Sequence, residues 1–341
     1  MAIDALPGSR ATNSGLSWTP LDTLASGTSL LDYQQWAVAA TLRQNGLPSV
    51  RGPFGNLTWL GEVRDWVGEV VGEPRVGPVT PYRVTSHEVV LSAETKRGRV
   101  YFKGLTADRT AEPRLTRVLS GLEPRAFART LALEERPDDA VWWLAAECPG
   151  KTLATRPDAG AAAIVARDLA RVQRRVMASA QVLGELQEVA LPSAAAWSAG
   201  LLSDRACRAA VERACDEVRC ADVPRSWIPL DLDPVNVLVD DDGRISFIDL
   251  DDSFLGPAPL AMAMFARRCH DDSACHSYRE AWSPPLKEVS WPAFDLAAAV
   301  LEGWLGWKRV EKSTDRGEAH GVLDVATARL AQRLVRAVYR R

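Results

Sequence analysis

Lysine and histidine are scarce in this 341-residue sequence, with six lysines and four histidines, so nearly all of the 41 basic residues are arginine. Set against 44 acidic residues they leave a formal charge of −3, which excludes the one-signed field that recruits a nucleic-acid backbone or an anionic membrane surface. Long apolar runs are also missing: the longest, near Ala161 to Val165 and Leu296 to Leu301, fall far short of the roughly 18 residues of a spanning helix. The opening MAIDALPGSRATNSG lacks a basic segment followed by an apolar one, so no secretory signal is read there and a cytoplasmic location is expected. Six cysteines, dispersed from Cys148 to Cys275, do not make the dense framework of a small disulfide scaffold and are expected to be free thiols. No repeat or low-complexity tract is present. What remains is ordinary globular composition, 47% hydrophobic and 25% charged, for which a small molecule is the default partner.

The pattern along the chain changes three times. Residues 1 to about 28 are rich in Gly, Ser, Thr and Pro. Helical spacing follows, first from Ser29 to about Gln44, then in the stripe Trp59, Val63, Trp66, Val67 and Val70 before Gly72. The Trp59 and Trp66 stripe is read as a packing face. Gly72 to Pro81 reads as a linker. From Val84 alternation takes over, with strands expected at Glu88–Ala93 and Arg99–Leu105, a helix at Ala111–Leu122, and further strands at Ala128–Glu134 and Val141–Glu147. Beyond Pro149-Gly150 helices dominate, expected at Ala159–Met177, Ala194–Val218, Leu260–Arg268, Ala293–Trp307 and Gly321–Tyr339. The exception is IPLDLDPVNVLVDDDGRISFIDLDD, where two short β runs flank the hairpin signal Asp240-Asp241-Asp242-Gly243.

Folding that hairpin brings Asn236, at its start, beside Asp249, at its end, with Asp231 on the approach loop. Oxygen donors of this kind suit Mg²⁺, which prefers one or two carboxylates plus substrate phosphates. A further carboxylate nearby can orient a hydroxyl or take its proton. Positioning and charge neutralisation of this kind are what phosphoryl transfer requires. Upstream, Lys103 sits within the apolar alternating run RVYFKGL, an expensive place for a lysine without a task, and Glu112 opens the next helix.

Asp231-Leu232-Asp233-Pro234-Val235-Asn236, followed by Ile248-Asp249-Leu250-Asp251, resembles the catalytic loop and metal motif of aminoglycoside phosphotransferases and their choline-kinase-like relatives, H-G-D-x-H-x-x-N and then I-D-x-D. Both spacings agree, and the resemblance extends from about Val84 to Ala266. It implies an α+β, protein-kinase-like fold of two lobes: an N-terminal, mainly helical extension over residues 1–80, a small β-rich nucleotide-binding lobe over 81–148, and a helical lobe with the catalytic loop and acceptor site over 149–341. It implies Lys103 as the phosphate-binding lysine, Glu112 as its ion-pair partner, and Ala145, Glu147 and Cys148 in the hinge that receives the base. Asn236 and Asp249 would hold Mg²⁺, Asp251 matches the second aspartate of the metal motif, and Asp231 would be the catalytic base. The activity implied is transfer of a γ-phosphate from ATP or GTP to a hydroxyl of a small molecule. Acidic side chains at Asp233, Asp251, Asp252, Asp271 and Asp272 suit a cationic, aminoglycoside-like or other amino-bearing acceptor.

The sequence departs from that pattern where Pro229 and Leu230 replace His and Gly, where Asp233 replaces a second His, and where no glycine cluster separates the first two strands. These departures motivate an alternative, a catalytically weakened kinase-like protein that binds nucleotide or serves as a scaffold. Nucleotidyl transfer on the same fold is a third reading. Cys269-His270 and Cys275-His276 carry zinc-type ligands, but at a spacing that fits no common structural site, and Asp271 to Ser273 reads as a loop.

Overall fold

The computed structural model describes residues 58–313, apart from short breaks at 74–75, 77–78, 85–87, 138–139, 156–159, 283, 285 and 287–288. The helices expected at Ser29–Gln44 and Gly321–Tyr339 lie outside the described residues, as does Ser86 between the first two strands.

Helix α1 (Thr58–Val71) contains no proline and repeats its apolar residues at helical spacing. It stops where Gly72 turns left-handed at φ +72°, with Glu73 N–H donating to Gly68 O at 2.8 Å. Strands β1 (Val79–Val84), β2 (Glu88–Thr95) and β3 (Gly98–Thr106) follow, then helix α2 (Ala111–Leu122) and strands β4 (Thr130–Glu135) and β5 (Ala140–Ala146). The five strands form one antiparallel sheet in the order β1-β2-β3-β5-β4. The sheet starts five residues earlier than the alternation suggests, inside the segment read as a linker, because β1 needs only an edge pairing with β2.

Alternation then sorts the sheet's side chains. Val89, Leu91, Val100, Phe102, Trp142 and Leu144 turn to one side and pack under α1, where Trp66 meets Phe102 and Trp142 edge-on at 6.0 and 5.5 Å. The indole N–H of Trp66 donates to Glu134 Oε2 at 2.6 Å, so the tryptophan stripe is a packing face. Cross-strand partners share a face, so Val90, Lys103 and Trp143 lie together on the other side, as do Ser92, Tyr101 and Ala145.

The second lobe continues with β6 (Lys151–Thr152), α3 (Ala161–Met177), α4 (Ala180–Glu185), β7 (Gln187–Glu188), α5 (Leu191–Leu201), α6 (Arg205–Cys220), β8 (Arg225–Pro229), β9 (Val237–Val239), β10 (Ile245–Phe247), β11 (Ser253–Pro257), α7 (Pro259–Cys269), α8 (Ser273–Ala281) and α9 (Trp291–Ser313). The helix expected at Ala194–Val218 is two helices, because Asp204 caps α6 by accepting from Ala206 N–H at 2.7 Å and Cys207 N–H at 3.4 Å. Ser273 begins α8 rather than continuing a loop, and no metal-holding group of His, Cys, Asp and Glu is found among the described residues.

Buried faces of α3, α7 and α9 share one core, threaded by Gln173. Its amide donates to Trp227 O at 2.8 Å and Ala258 O at 3.1 Å and accepts from Tyr278 Oη at 2.5 Å. One fully buried side chain thereby ties α3 to β8, α7 and α8, the elements that carry the loop before Asn236 and the helix that ends above it. Where the lobes meet, Gly150 holds φ +110°, and a Cβ there would come within 2.4 Å of Val239 O. Only glycine lets the chain leave β5 and pass that close to the β9–β10 hairpin.

Candidate active site

Lys103 points from β3 into the gap between the lobes. Its ammonium lies 2.5 Å from Glu112 Oε2 on α2, 3.2 Å from Glu88 Oε1 on β2 and 3.2 Å from Asp249 Oδ1. Burial works against the lysine's charge, but Glu112, Asp249 and Glu88 outweigh it and raise its pKa, so it is held as an ammonium. Glu112 is buried on the first turn of α2, where the helix dipole favours an acid. Burial pushes its carboxyl up to about 7 while Lys103 pulls the other way. Its second oxygen accepts from Leu250 N–H at 3.2 Å, so a single glutamate grips both Lys103 and the residue after Asp249. Asp249 itself sits at φ +60°, a left-handed conformation that costs a non-glycine residue on the order of 1–2 kcal/mol. Strain of this kind gathers where a side chain must be aimed.

Residues 231 to 236 fold as the spacing suggests. Asp233 N–H donates to Asp231 O and Asn236 N–H to Asp233 O, both at 2.8 Å, while Asp233 Oδ1 accepts from Val235 N–H at 3.1 Å. Ile248 N–H donates to Asn236 O at 3.0 Å, which sets Asn236 beside the end of the hairpin that carries Asp249. Asn236 Nδ2 donates to Asp231 O at 3.0 Å. Leu230, in the place of a glycine, is buried, and its N–H donates to Asp252 O at 2.8 Å. Asp251 is exposed in the turn that follows.

Ala145 is buried on β5 directly opposite Tyr101 and Thr130. Glu147 N–H donates to Arg99 O at 3.0 Å, and its carboxylate lies 3.2 Å from Arg99 Nη1, so its side chain is tied to β3. Cys148 is half buried, and burial pushes its thiol up to about 11.

The motifs do not single out four further residues of the site. Tyr101 and Glu88 carry a signal: Tyr101 lies two residues before Lys103 on an alternating strand, and the hairpin register carries Glu88 to the same face. Tyr101 packs edge-on against Tyr82 at 5.6 Å between ring centres. Arg268 and Glu302 carry none. Arg268, in the last turn of α7, donates from Nη1 to Asp231 Oδ1 at 3.0 Å and lies 3.8 Å from Asp233 Oδ2, while Glu302 of α9 accepts from its Nε and Nη2 at 3.1 and 2.9 Å. Of the acids expected to face an acceptor, Asp233 is thus partly neutralised, and Asp271 accepts from the N–H and hydroxyl of Ser273.

The model of the phosphotransferase enzyme family matches residues 89–287, more than half of the chain. No curated protein sequence matches it. Among solved structures the chain is similar to a mutant aminoglycoside 2'-phosphotransferase-IIIa in its GDP complex, with a TM-score of 0.58 at 9% identity over 82% of this chain and 97% of that one. It is similar to the choline kinase LicA from Streptococcus pneumoniae, with a TM-score of 0.58 at 11% identity over 83% and 100% of the two chains. It is also similar to amicoumacin kinase hAmiN in complex with AMP-PNP, Ca²⁺ and Ami, with a TM-score of 0.53 at 11% identity over 75% and 88%. These structures share the protein-kinase-like fold, a β-sheet lobe beside a helical one. With the motif pair, the Lys103 ion pairs and the family match in agreement, the chain belongs to the phosphotransferase enzyme family.

Proposed function

We propose that the protein transfers the γ-phosphate of ATP or GTP to a hydroxyl group of a small molecule, with the sheet lobe (81–148) binding nucleotide and the helical lobe (149–341) binding acceptor. The observation that carries this is the bridge from Lys103 to Glu112 at 2.5 Å and, across a sequence separation of 146 residues, to Asp249 at 3.2 Å. A merely structural lysine has no need of three carboxylates, and the surplus acid invites a cation. Lys103 contacts the α and β phosphates, with Glu112 fixing its direction. Tyr101, opposite Ala145, offers an aromatic face to a base, and the backbone of Ala145 to Cys148 lines its edge. Asp231 orients the acceptor hydroxyl and receives its proton.

The residues present fit Mg²⁺. Asn236 turns its amide nitrogen to Asp231 O, which directs its oxygen the other way, and the Asp249 carboxylate supplies a second hard oxygen. Asn236 and Asp249 would hold Mg²⁺, which when bound would supply charge neutralisation for the phosphate chain. Pro229, on strand β8, and buried Leu230 stand where the family has His and Gly and motivate the scaffold alternative, but retention of Lys103, Asp231, Asn236 and Asp249 favours an active enzyme over it.

Calorimetric titration of ATP and GTP, with and without Mg²⁺, into wild type and Asp249→Asn tests the reading. Metal-dependent binding that the variant loses is expected. Binding unchanged by Asp249→Asn overturns the metal assignment, and no binding of either nucleotide overturns the proposal. A screen of amino-bearing and neutral alcohols then tests the acceptor. Reaction with amino-bearing compounds is expected, and reaction with neutral ones alone removes the cationic assignment.

A further inference from the structure

Arg268 is joined to Asp231 and Glu302 in a way that the chemistry of the cleft does not require of a surface arginine. Three of its N–H donors are committed in one plane: Nη1 to Asp231 Oδ1, and Nε and Nη2 to Glu302 Oε1. Its side chain is only 15% exposed, against 28% for Asp231 and 30% for Glu302. Glu302 is immobilised in turn, because its other oxygen accepts from Arg267 Nη2 at 2.7 Å. Asp231 is therefore fixed twice, at its carbonyl by Asn236 and at its carboxylate by Arg268. A carboxylate has about four acceptor positions, so one bond to a guanidinium leaves it able to accept from a hydroxyl.

We propose that Arg268, anchored by Glu302, is the positioning residue for Asp231, setting the direction of its carboxylate toward the acceptor hydroxyl. The inference rests on the phosphotransferase reading and deepens it. Two observations separate this role from a plain staple between α7 and α9. The staple already exists without Arg268, since Arg267 bonds Glu302 and lies 3.3 Å from Asp295 Oδ1. Glu302 also lies beyond residues 89–287, so the clamp reaches the catalytic loop from a helix outside the matched segment. Arginine suits the task because its planar fork spans two carboxylates at once, whereas lysine is a point charge on a flexible stem.

The test uses the full chain and Mg²⁺-dependent hydrolysis of ATP and GTP, with water in the acceptor's place, for wild type, Asp231→Asn, Arg268→Met, Arg268→Lys and Glu302→Gln. Misplacing a catalytic group by about 1 Å costs on the order of 10²-fold, so Arg268→Met is expected to lower kcat roughly 10- to 100-fold. Nucleotide KM should stay within about twofold, the signature of an interaction made only in the reacting complex. Arg268→Lys recovers part of the loss, Glu302→Gln falls between, and thermal midpoints stay at the wild-type value. A kcat for Arg268→Met equal to wild type overturns the proposal. So does a loss of kcat that follows a lowered thermal midpoint in Arg268→Met and Arg268→Lys alike, which marks a structural staple. Turnover in Asp231→Asn equal to wild type fails at a different point, since it removes Asp231 from the chemistry and takes the phosphotransferase reading with it.

Discussion

The two halves of the cleft set cations among acids in different ways. On the side proposed to take nucleotide a single ammonium, Lys103, faces Glu88, Glu112 and Asp249, so acid is in surplus, and Arg109 reaches Glu88 only at 3.6 Å. On the side proposed to take the acceptor two guanidiniums, Arg267 and Arg268, share Glu302, while Arg268 also bonds Asp231 and lies 3.8 Å from Asp233, and Arg267 lies 3.3 Å from Asp295. Acid in surplus suits a site whose ligands are a metal and a phosphate chain arriving together. A guanidinium held by a second carboxylate suits a base that must keep one orientation whatever the acceptor. The difference teaches that a lone ammonium among acids leaves a place for arriving cations, whereas paired guanidiniums fix the direction of a carboxylate.

Removing the cation from each half breaks the comparison most directly. Lys103→Met leaves three acids crowded around a neutral side chain and is expected to cost roughly 3–5 kcal/mol of stability. Turnover should fall by on the order of 10²- to 10³-fold, as when one preorganised donor is lost. Arg268→Met in the same assays should spare both stability and nucleotide affinity. Denaturant titrations and calorimetry on the two variants check this, and equal losses of stability would erase the distinction.

The next effect strikes both halves. Gly150→Ala places a Cβ 2.4 Å from Val239 O and 2.7 Å from Asp240 N at a backbone φ of +110°. It is expected to destabilise by about 3 kcal/mol, from strain and overpacking together. A single cooperative melt lowered as a whole would mark Gly150 as common to both lobes, whereas a separate early transition would assign it to one.

The smallest effect sharpens the nucleotide side. Cys148 ends the segment assigned to the base, and its thiol is pushed up to about 11 by burial. Since the thiolate is the nucleophile, alkylation of Cys148 should be slow at neutral pH and accelerate about tenfold per pH unit below 11. Exposed Cys220 should react first. Mg²⁺ with nucleotide should protect Cys148 and leave Cys220 unaffected, read by peptide mass mapping. Protection of neither would move the base away from Ala145–Cys148.

The two halves also differ in how much of each is legible in the amino-acid sequence. The two-lobed fold and the Lys103–Glu112 pair are legible through the resemblance that the motif pair carries, while local rules supply the strands, the acid in a helix's first turn, and a hairpin that brings Asn236 beside Asp249. Glu88 and Tyr101 are recoverable from the same hairpin register. Arg268 and Glu302 are not, since their meeting depends on the crossing of α7 and α9, which no spacing within either helix specifies. The break between α5 and α6 at Asp204 escapes for a related reason, because continuous apolar spacing on both sides hides a cap. Strand β1 escapes because an edge strand needs only one partner and carries little alternation of its own.

The paired tryptophans of β5 have an optical consequence. Trp142 and Trp143 are neighbours in sequence, but the pleat sends them to opposite faces of one sheet. Trp142 lies in an aromatic cluster with Trp66 and Phe102, while Trp143 is the cross-strand partner of Lys103 and donates to Thr130 Oγ1 at 3.1 Å. The sheet thus carries a built-in pair of fluorophores one residue apart, one reporting the packing of α1 and the other facing the cleft. Replacing each in turn with phenylalanine subtracts its share from the emission of the twelve tryptophans, so that the two difference signals follow the packing of α1 and events in the cleft separately.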